Sequence, residues 1–242
     1  MELSLRLQAV ADMVTEGRRV ADIGCDHGYV SIYLCKEKRC PKVIAMDVKK
    51  GPLERARVNI DRYGLSDYIE TRLSDGTGAL QKGEVDTLLL SGMGGRLTIR
   101  ILEQGLKQLG QFSELILQPQ SEIFLVRAFL RQQGIEIVDE TIVLEDGKFY
   151  PVIKAQPAAM ENVKERTPMP DAERISLWEY STVEDYFGPV LLRKRPEVFE
   201  AFLRKEKEKT EALLLQVSKQ ERLKELQEYL SYVKAAMEME KT

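Results

Sequence analysis

Residues 22–29 read Asp22-Ile23-Gly24-Cys25-Asp26-His27-Gly28-Tyr29, a short segment that mixes acids, glycines and the only histidine of the chain. It follows the β-branched run Val20 to Gly24 and precedes a helical pattern from Tyr29 to Lys36, so it forms a first βα turn. Glycines there let a ligand approach the backbone beside a helix N-terminus. Asp47, 23 positions after Gly24 and followed by Val48, stands where nucleotide-binding folds place an acid that accepts both ribose hydroxyls. The turn lacks the middle glycine of Gly-x-Gly-x-x-Gly, and Asp22 and Asp26 would repel the pyrophosphate of a dinucleotide. At a separation of a few ångströms such repulsion amounts to about 1 to 4 kcal/mol at effective dielectrics of about 80 to 20. A donor without phosphate that carries a sulfonium and an ammonium, S-adenosylmethionine, is attracted by the same acids. The bland alternative is an aspartate capping the helix among ordinary turn glycines.

Further chemistry-bearing residues recur at the ends of the following runs. Ser74-Asp75-Gly76 puts a carboxylate at a strand end, suited to the exocyclic amino group of an adenine, with an ordinary Asp-Gly turn as the alternative. Ser91-Gly92-Met93-Gly94-Gly95 is small enough to admit two ligands side by side. Gly92 and Met93 are assigned to the donor, and Gly94 and Gly95 to its acceptor. Arg6, on a helix expected over Leu5 to Met13 and capped by Ser4, suits a phosphate or the donor's carboxylate, unless it is only a solvated helix face.

The elements that must position these residues alternate. Runs at 20–24, 43–47, 68–73, 85–90, 115–117 and 135–138 are separated by helical patterns at 29–36, 53–63, 98–109 and 122–133. Such alternation predicts βαβ units and a parallel-dominated sheet with helices on both faces. Phe149 to Ala155, after the turn Glu145-Asp-Gly-Lys148, is expected to return as a hairpin strand at the end of the sheet. Three prolines in 156–170 mark a boundary, giving a Rossmann-like α/β domain over 1–160 and a helical domain over 161–242. In the latter, Pro196 starts one helix and the pattern Ser218-Lys-Gln-Glu221 predicts a capping box that starts another, the pair forming a coiled-coil hairpin.

The 36 basic residues nearly balance 39 acidic ones, a net charge of −3, and the 43% apolar content excludes a disordered chain. Residues 161–242 hold 15 bases and 17 acids, so neither half is a polycation. Two local basic clusters, Lys36, Lys38, Arg39 and Lys42, and Arg193-Lys-Arg195, are candidates for phosphate contacts. Cys25, Cys35 and Cys40 form an odd set that fits reduced thiols, and with His27 they match no zinc spacing, so no metal is expected. With no long apolar run and an acidic N-terminus, the chain is expected to be cytoplasmic and free of the membrane.

These segments together resemble the bacterial tRNA (adenine(22)-N1)-methyltransferase family, and the resemblance covers nearly the whole chain. It is carried by Leu3-Ser-Leu-Arg-Leu7, Asp22 to Tyr29, Asp75-Gly76, Ser91 to Gly95, Leu115-Ile-Leu-Gln-Pro119 and Phe187-Gly-Pro-Val-Leu191. The Asn/Asp-Pro-Pro-Tyr/Phe motif of many amino-group methyltransferases is absent. The resemblance implies a class I methyltransferase that moves a methyl group from S-adenosylmethionine to N1 of adenine 22 in tRNA. The chain is expected to be a monomer or weak dimer. N1 already carries a free lone pair, so no strong base is needed. Asp26 is then the leading catalytic candidate, offsetting the charge that develops on the ring, and His27 either shuttles the N6 proton or shapes the loop. The hairpin would grip the tRNA or serve dimerisation. Two alternatives stay open: a methyltransferase for another RNA or a small molecule, and a non-catalytic nucleotide- or RNA-binding adaptor.

Overall fold

The computed structural model describes residues 1–109, 112–157 and 182–239. Helix α1 (Leu5–Met13) precedes β1 (Val20–Ile23), α2 (Tyr29–Lys36), β2 (Val43–Asp47), α3 (Lys50–Arg62), β3 (Ile69–Leu73), β4 (Thr87–Gly94), α4 (Gly95–Leu109), β5 (Glu114–Ser121), α5 (Ile123–Gln132), β6 (Ile135–Glu145) and β7 (Lys148–Pro157). The seven strands form one sheet in the order β3-β2-β1-β4-β5-β7-β6. β1 to β5 are mutually parallel, and β7 runs antiparallel to both of its neighbours. The hairpin return is therefore present, but β7 lies inside the sheet and β6 takes the edge. Val152, Ile153 and Ala155 are fully buried, as a strand covered on both faces requires.

Period-two alternation divides the strand residues between two cores. Ala21, Ile23, Ile44, Met46, Leu88 and Leu90 pack under α4 and α5 with Leu102 and Phe129. Val20, Val43, Ala45 and Leu89 pack on the other face with Val10, Ile32, Leu34, Ala56 and Ile60 of α1 to α3. Asp22 alternates with Ala21 and Ile23, so its carboxyl group turns toward α2.

Four more helices follow among the described residues: α6 (Val183–Phe187), α7 (Pro189–Lys194), α8 (Glu197–Leu214) and α9 (Gln220–Glu238). The expected boundary at 160/161 lies outside the described residues. α8 and α9 run antiparallel: Arg195, just ahead of α8, donates to the carbonyls of Ala236, Met237 and Met239 at the far end of α9. The expected capping box at Ser218 is not formed. Lys219 occupies the N-cap with no side-chain hydrogen bond, whereas a capping box does form at Thr182 and Asp185, heading α6.

A buried ion pair docks the helices on the sheet. Arg127 of α5, 2% exposed, donates from Nε to Oε1 of Glu140 on β6 at 2.8 Å, and from Nη1 to the carbonyls of Asp185 and Tyr186. The other Glu140 oxygen accepts the amide of Val190 in the first turn of α7 at 3.0 Å. Among the described residues no helix is long and apolar enough to cross a membrane, and no three His, Cys, Asp or Glu side chains gather as a metal site. Removing one partner of a buried pair strands the other's charge. Arg127→Ala is therefore expected to lower unfolding stability by about 3–5 kcal/mol in urea titrations. A loss below about 1 kcal/mol, the value of an exposed pair, would contradict this reading.

Candidate active site at the carboxyl edge of the sheet

The turn after β1 is built on left-handed backbone. Gly24, Asp26 and Gly28 have φ of 78°, 48° and 71°, and the amides of Gly24 and Cys25 both donate to the carbonyl of Met46. A side chain on Gly28 would also press on α3, its Cβ coming within 3.2 Å of that of Ala56. Aspartate tolerates the left-handed region better than most residues. Its conformation leaves the side chain exposed, where Oδ1 pairs with Arg55 of α3 at 3.1 Å and Oδ2 lies 3.6 Å from Nε2 of His27. The His27 ring stacks on Tyr29, with centroids 5.5 Å apart and planes within 6°. Asn59 donates to the His27 carbonyl and holds the turn onto α3.

Asp22 is buried, and its Oδ2 accepts the Ser31 hydroxyl at 2.6 Å. Burial pushes its carboxyl pKa up to about 6, and the Ser31 hydrogen bonds oppose the shift. Across β1 from β2, strand β4 continues past Leu90 with shifted register against β5 at Ser91 and Met93. Gly92 sits in that irregularity with φ of 79°. Gln118 of β5, 1% exposed, closes it: Oε1 accepts the Gly92 amide at 3.2 Å, the Ser91 hydroxyl at 3.3 Å and Nη1 of Arg6 at 3.1 Å.

These elements enclose a cavity of about 250 Å³. Arg6, Asp22, Gly24, Asp26, His27 and Gly92 line it, together with Ser91, Gln120, Leu7, Cys25, Tyr29 and Val30. A larger cleft of about 860 Å³ lies between the start of α5 and the α8–α9 pair, but none of the sequence-predicted residues lines it.

Residues 3–153 match the family described as a methyltransferase domain. The tRNA (adenine(22)-N(1))-methyltransferase of Bacillus subtilis is 32% identical over 98% of both chains. The chain belongs to the tRNA (adenine(22)-N1)-methyltransferase family. The crystal structure of a Streptococcus pneumoniae protein described as a putative tRNA (m1A22) methyltransferase superposes with a TM-score of 0.83 at 31% identity, covering 98% of this chain and 100% of that one. A second structure of that protein, in complex with S-adenosyl-L-methionine, superposes at 0.81 with the same identity and coverage.

In this member of the family, eight of the residues singled out in the sequence stand outside the cavity lining. Asp47 ends β2 and accepts the amide of Lys49 at 2.8 Å, with Val48 exposed beside it. Asp75 is held by both terminal nitrogens of Arg100, at 2.9 and 3.2 Å, and Gly76 packs on Gln104 and Ile101 of α4. Gly28 faces α3 as described. Met93 turns under the turn, where a Cβ on Gly24 would meet its methyl group. Gly94 and Gly95 are absorbed by packing: a Cβ on Gly95 would come within 2.6 Å of the Glu122 carbonyl.

The first basic cluster lies at the C-terminal end of α2, the edge of the sheet opposite the acids, and there Arg39 and Lys42 pair with Asp12 and Glu70. Gln118, Ser91 and Gln120 had no role assigned from sequence. An amide at the end of the apolar run Leu115-Ile-Leu was the available signal for Gln118.

Because the folded pKa of Asp22 is raised, the stability its protonated form contributes is present below the unfolded value of 3.8 and is lost as pH rises through about 6. Asp22→Asn is accordingly expected to stabilise the unliganded protein at pH 7 by up to about 3 kcal/mol and to have no such effect at pH 3.5. Urea unfolding at the two pH values checks this, and destabilisation at pH 7 would contradict it.

Proposed function

We propose that this chain transfers a methyl group from S-adenosylmethionine to N1 of adenine 22 in tRNA. The observation that carries the reading is the cavity itself, in which a buried carboxyl group, Asp22, and an exposed one, Asp26, flank a glycine turn at the carboxyl edge of the sheet. That chemistry fits a donor bearing a sulfonium and an ammonium and disfavours a pyrophosphate. The naming of the B. subtilis relative and the donor complex of the S. pneumoniae protein agree with it.

In this reading Asp22, Gly24, Gly28, Gly92 and Met93 form the donor's amino-acid and sulfur side, and Asp47, Val48, Asp75 and Gly76 its adenosine side. When bound, the donor supplies an electrophilic methyl group. The adenine N1 lone pair is free at neutral pH, so the protein's task is positioning, exclusion of water and charge stabilisation. Asp26 accepts a hydrogen bond from the N6 amino group and offsets the positive charge that grows on the ring. Its present partner, Arg55, is half-exposed, and releasing such a pair costs about 1 kcal/mol or less. Nε2 of His27 stands 3.6 Å from Oδ2 of Asp26, beyond hydrogen-bond distance, and His27 shuttles the N6 proton or shapes the loop.

Adenine 22 lies within the folded body of tRNA, so the base is turned out of its stack to reach the site. Residues 161–242 act as a second unit whose paired helices grip the tRNA. Arg55 of α3 and Arg96 and Arg100 of α4 are exposed and paired with Asp26, Glu122 and Asp75, exposed or partly exposed acids, which leaves them available to phosphates.

Mass-spectrometric analysis of tRNA from cells lacking the protein tests the function, with loss of 1-methyladenosine at position 22 expected and an unchanged level contradicting it. For the catalytic assignment, Asp26→Ala is expected to lower kcat by about 10²- to 10³-fold while the Kd for S-adenosylmethionine changes little. A large loss of affinity in titration calorimetry would instead move Asp26 into the donor site.

A further inference from the structure

The cleft of about 860 Å³ is walled by rings from four helices, Phe124 of α5, Tyr186 of α6, Phe202 of α8 and Tyr229 of α9, each with part of its surface open. Tyr186 ties three of them together, stacking on Phe124 with centroids 4.9 Å apart and meeting Tyr229 at 5.6 Å. Polar groups in the cleft are sorted by exposure. The carboxylate of Glu206 is 19% exposed, and the Tyr229 hydroxyl donates to its Oε2 at 2.8 Å. Lys209 and Arg222 stand further out, 63% and 58% exposed. Only the β5–α5 turn separates this cleft from the cavity after β1, for Gln120 lines the cavity and Glu122 the cleft.

We propose that the cleft takes one unstacked guanine of the tRNA, with its ring against the aromatic wall, its N1–H and N2–H groups donating to Glu206, and its flanking phosphates on Lys209 and Arg222. The inference deepens the tRNA reading above and rests on it. Part-open rings are a stacking surface for any base. The choice among bases falls to the carboxylate, which only accepts and has about four lone-pair sites, one of them used by Tyr229. Of the four standard bases, guanine alone offers two donors side by side on its Watson–Crick edge. Adenine, cytosine and uracil set an acceptor beside the donor, facing the carboxylate's charge. The charges also fit a nucleotide that enters base first. Glu122, Glu206, Glu225 and Glu228 outnumber Lys209 and Arg222, so a run of phosphates stays at the rim. Arg222 has only an exposed pair with Glu225 to release for such a contact.

The test is photo-crosslinking of the full-length protein to an unmodified tRNA transcript in which 6-thioguanosine, which keeps the N1 and N2 donors, sparsely replaces guanosine. A transcript carrying 4-thiouridine is the comparison. Mass spectrometry is expected to find thioguanosine joined to Phe202 or Tyr229 and thiouridine joined to neither. Glu206→Gln, which turns one acceptor of the pair into a donor, is expected to abolish that crosslink. It is also expected to raise the KM for tRNA by about 10- to 100-fold, the value of a charged hydrogen bond, with kcat and the Kd for S-adenosylhomocysteine unchanged. Tyr229→Phe, which only releases the carboxylate, should show a smaller rise in the same direction.

Thioguanosine crosslinks confined to other surfaces would overturn the inference. So would equal crosslinking by both nucleotides, or a Glu206→Gln variant with an unchanged KM. Saturable binding of spermidine that Glu206→Gln abolishes, with no nucleotide crosslinked in the cleft, would make it a cation site instead. If the unmodified protein fails to shift the transcript in a gel, the tRNA reading itself fails, a result distinct from binding without a crosslink in the cleft.

Discussion

A carboxyl group buried at the end of a parallel strand is costly, and the architecture around Asp22 is arranged about that cost. The strand must be interior for the site to be enclosed, and so the group loses water. Ser31 answers from α2, and only because the chain reverses sharply through Gly24, Asp26 and Gly28 does that helix start where its first turn meets the carboxyl group. The same reversal exposes Asp26 and opens the cavity. The retained strain and desolvation make sense as a site that a cation completes.

The other acids of this edge are managed differently. Asp26, Asp75 and Glu122 lie at the surface and each faces an arginine from a neighbouring helix, Arg55, Arg100 and Arg96. Such exposed pairs are worth little and exchange readily. A net charge of −3 thus conceals local sorting, with acids at the carboxyl edge of the sheet and arginines of α3 and α4 paired to them. The buried pair of Arg127 and Glu140 is of another kind, joining the helices that follow the sheet to α5 and β6 rather than meeting ligand.

Much of this was legible in the sequence where local rules act. The bounds of α1 and α2 agree with the hydrophobic pattern and, for α1, with its cap at Ser4. The acids at strand ends fall on one edge because parallel strands all point one way. Less legible were features set by contacts distant in sequence. Nothing near Phe149 to Ala155 states that the strand will insert beside β5, since that choice is made by pairing across the sheet. Ser218 has the composition of a cap, yet the helix begins one residue too late to use it. The glycines at 94 and 95 answer to the β5–α5 turn, Gly94 to the Ser121 side chain and Gly95 to the backbone of Ser121 and Glu122, which periodicity along β4 cannot reveal. Gln118 is visible as an amide in an apolar run, but its three partners come from two other elements.

The central claim is that this edge delivers a methyl group to one nitrogen of one base. Its most direct measurement is methyl incorporation from labelled S-adenosylmethionine into an unmodified tRNA transcript and into the same transcript with adenine 22 replaced by guanine. The account predicts stoichiometric incorporation as 1-methyladenosine in the first and none in the second. Equal incorporation into both, or none into either by a folded protein, would contradict it.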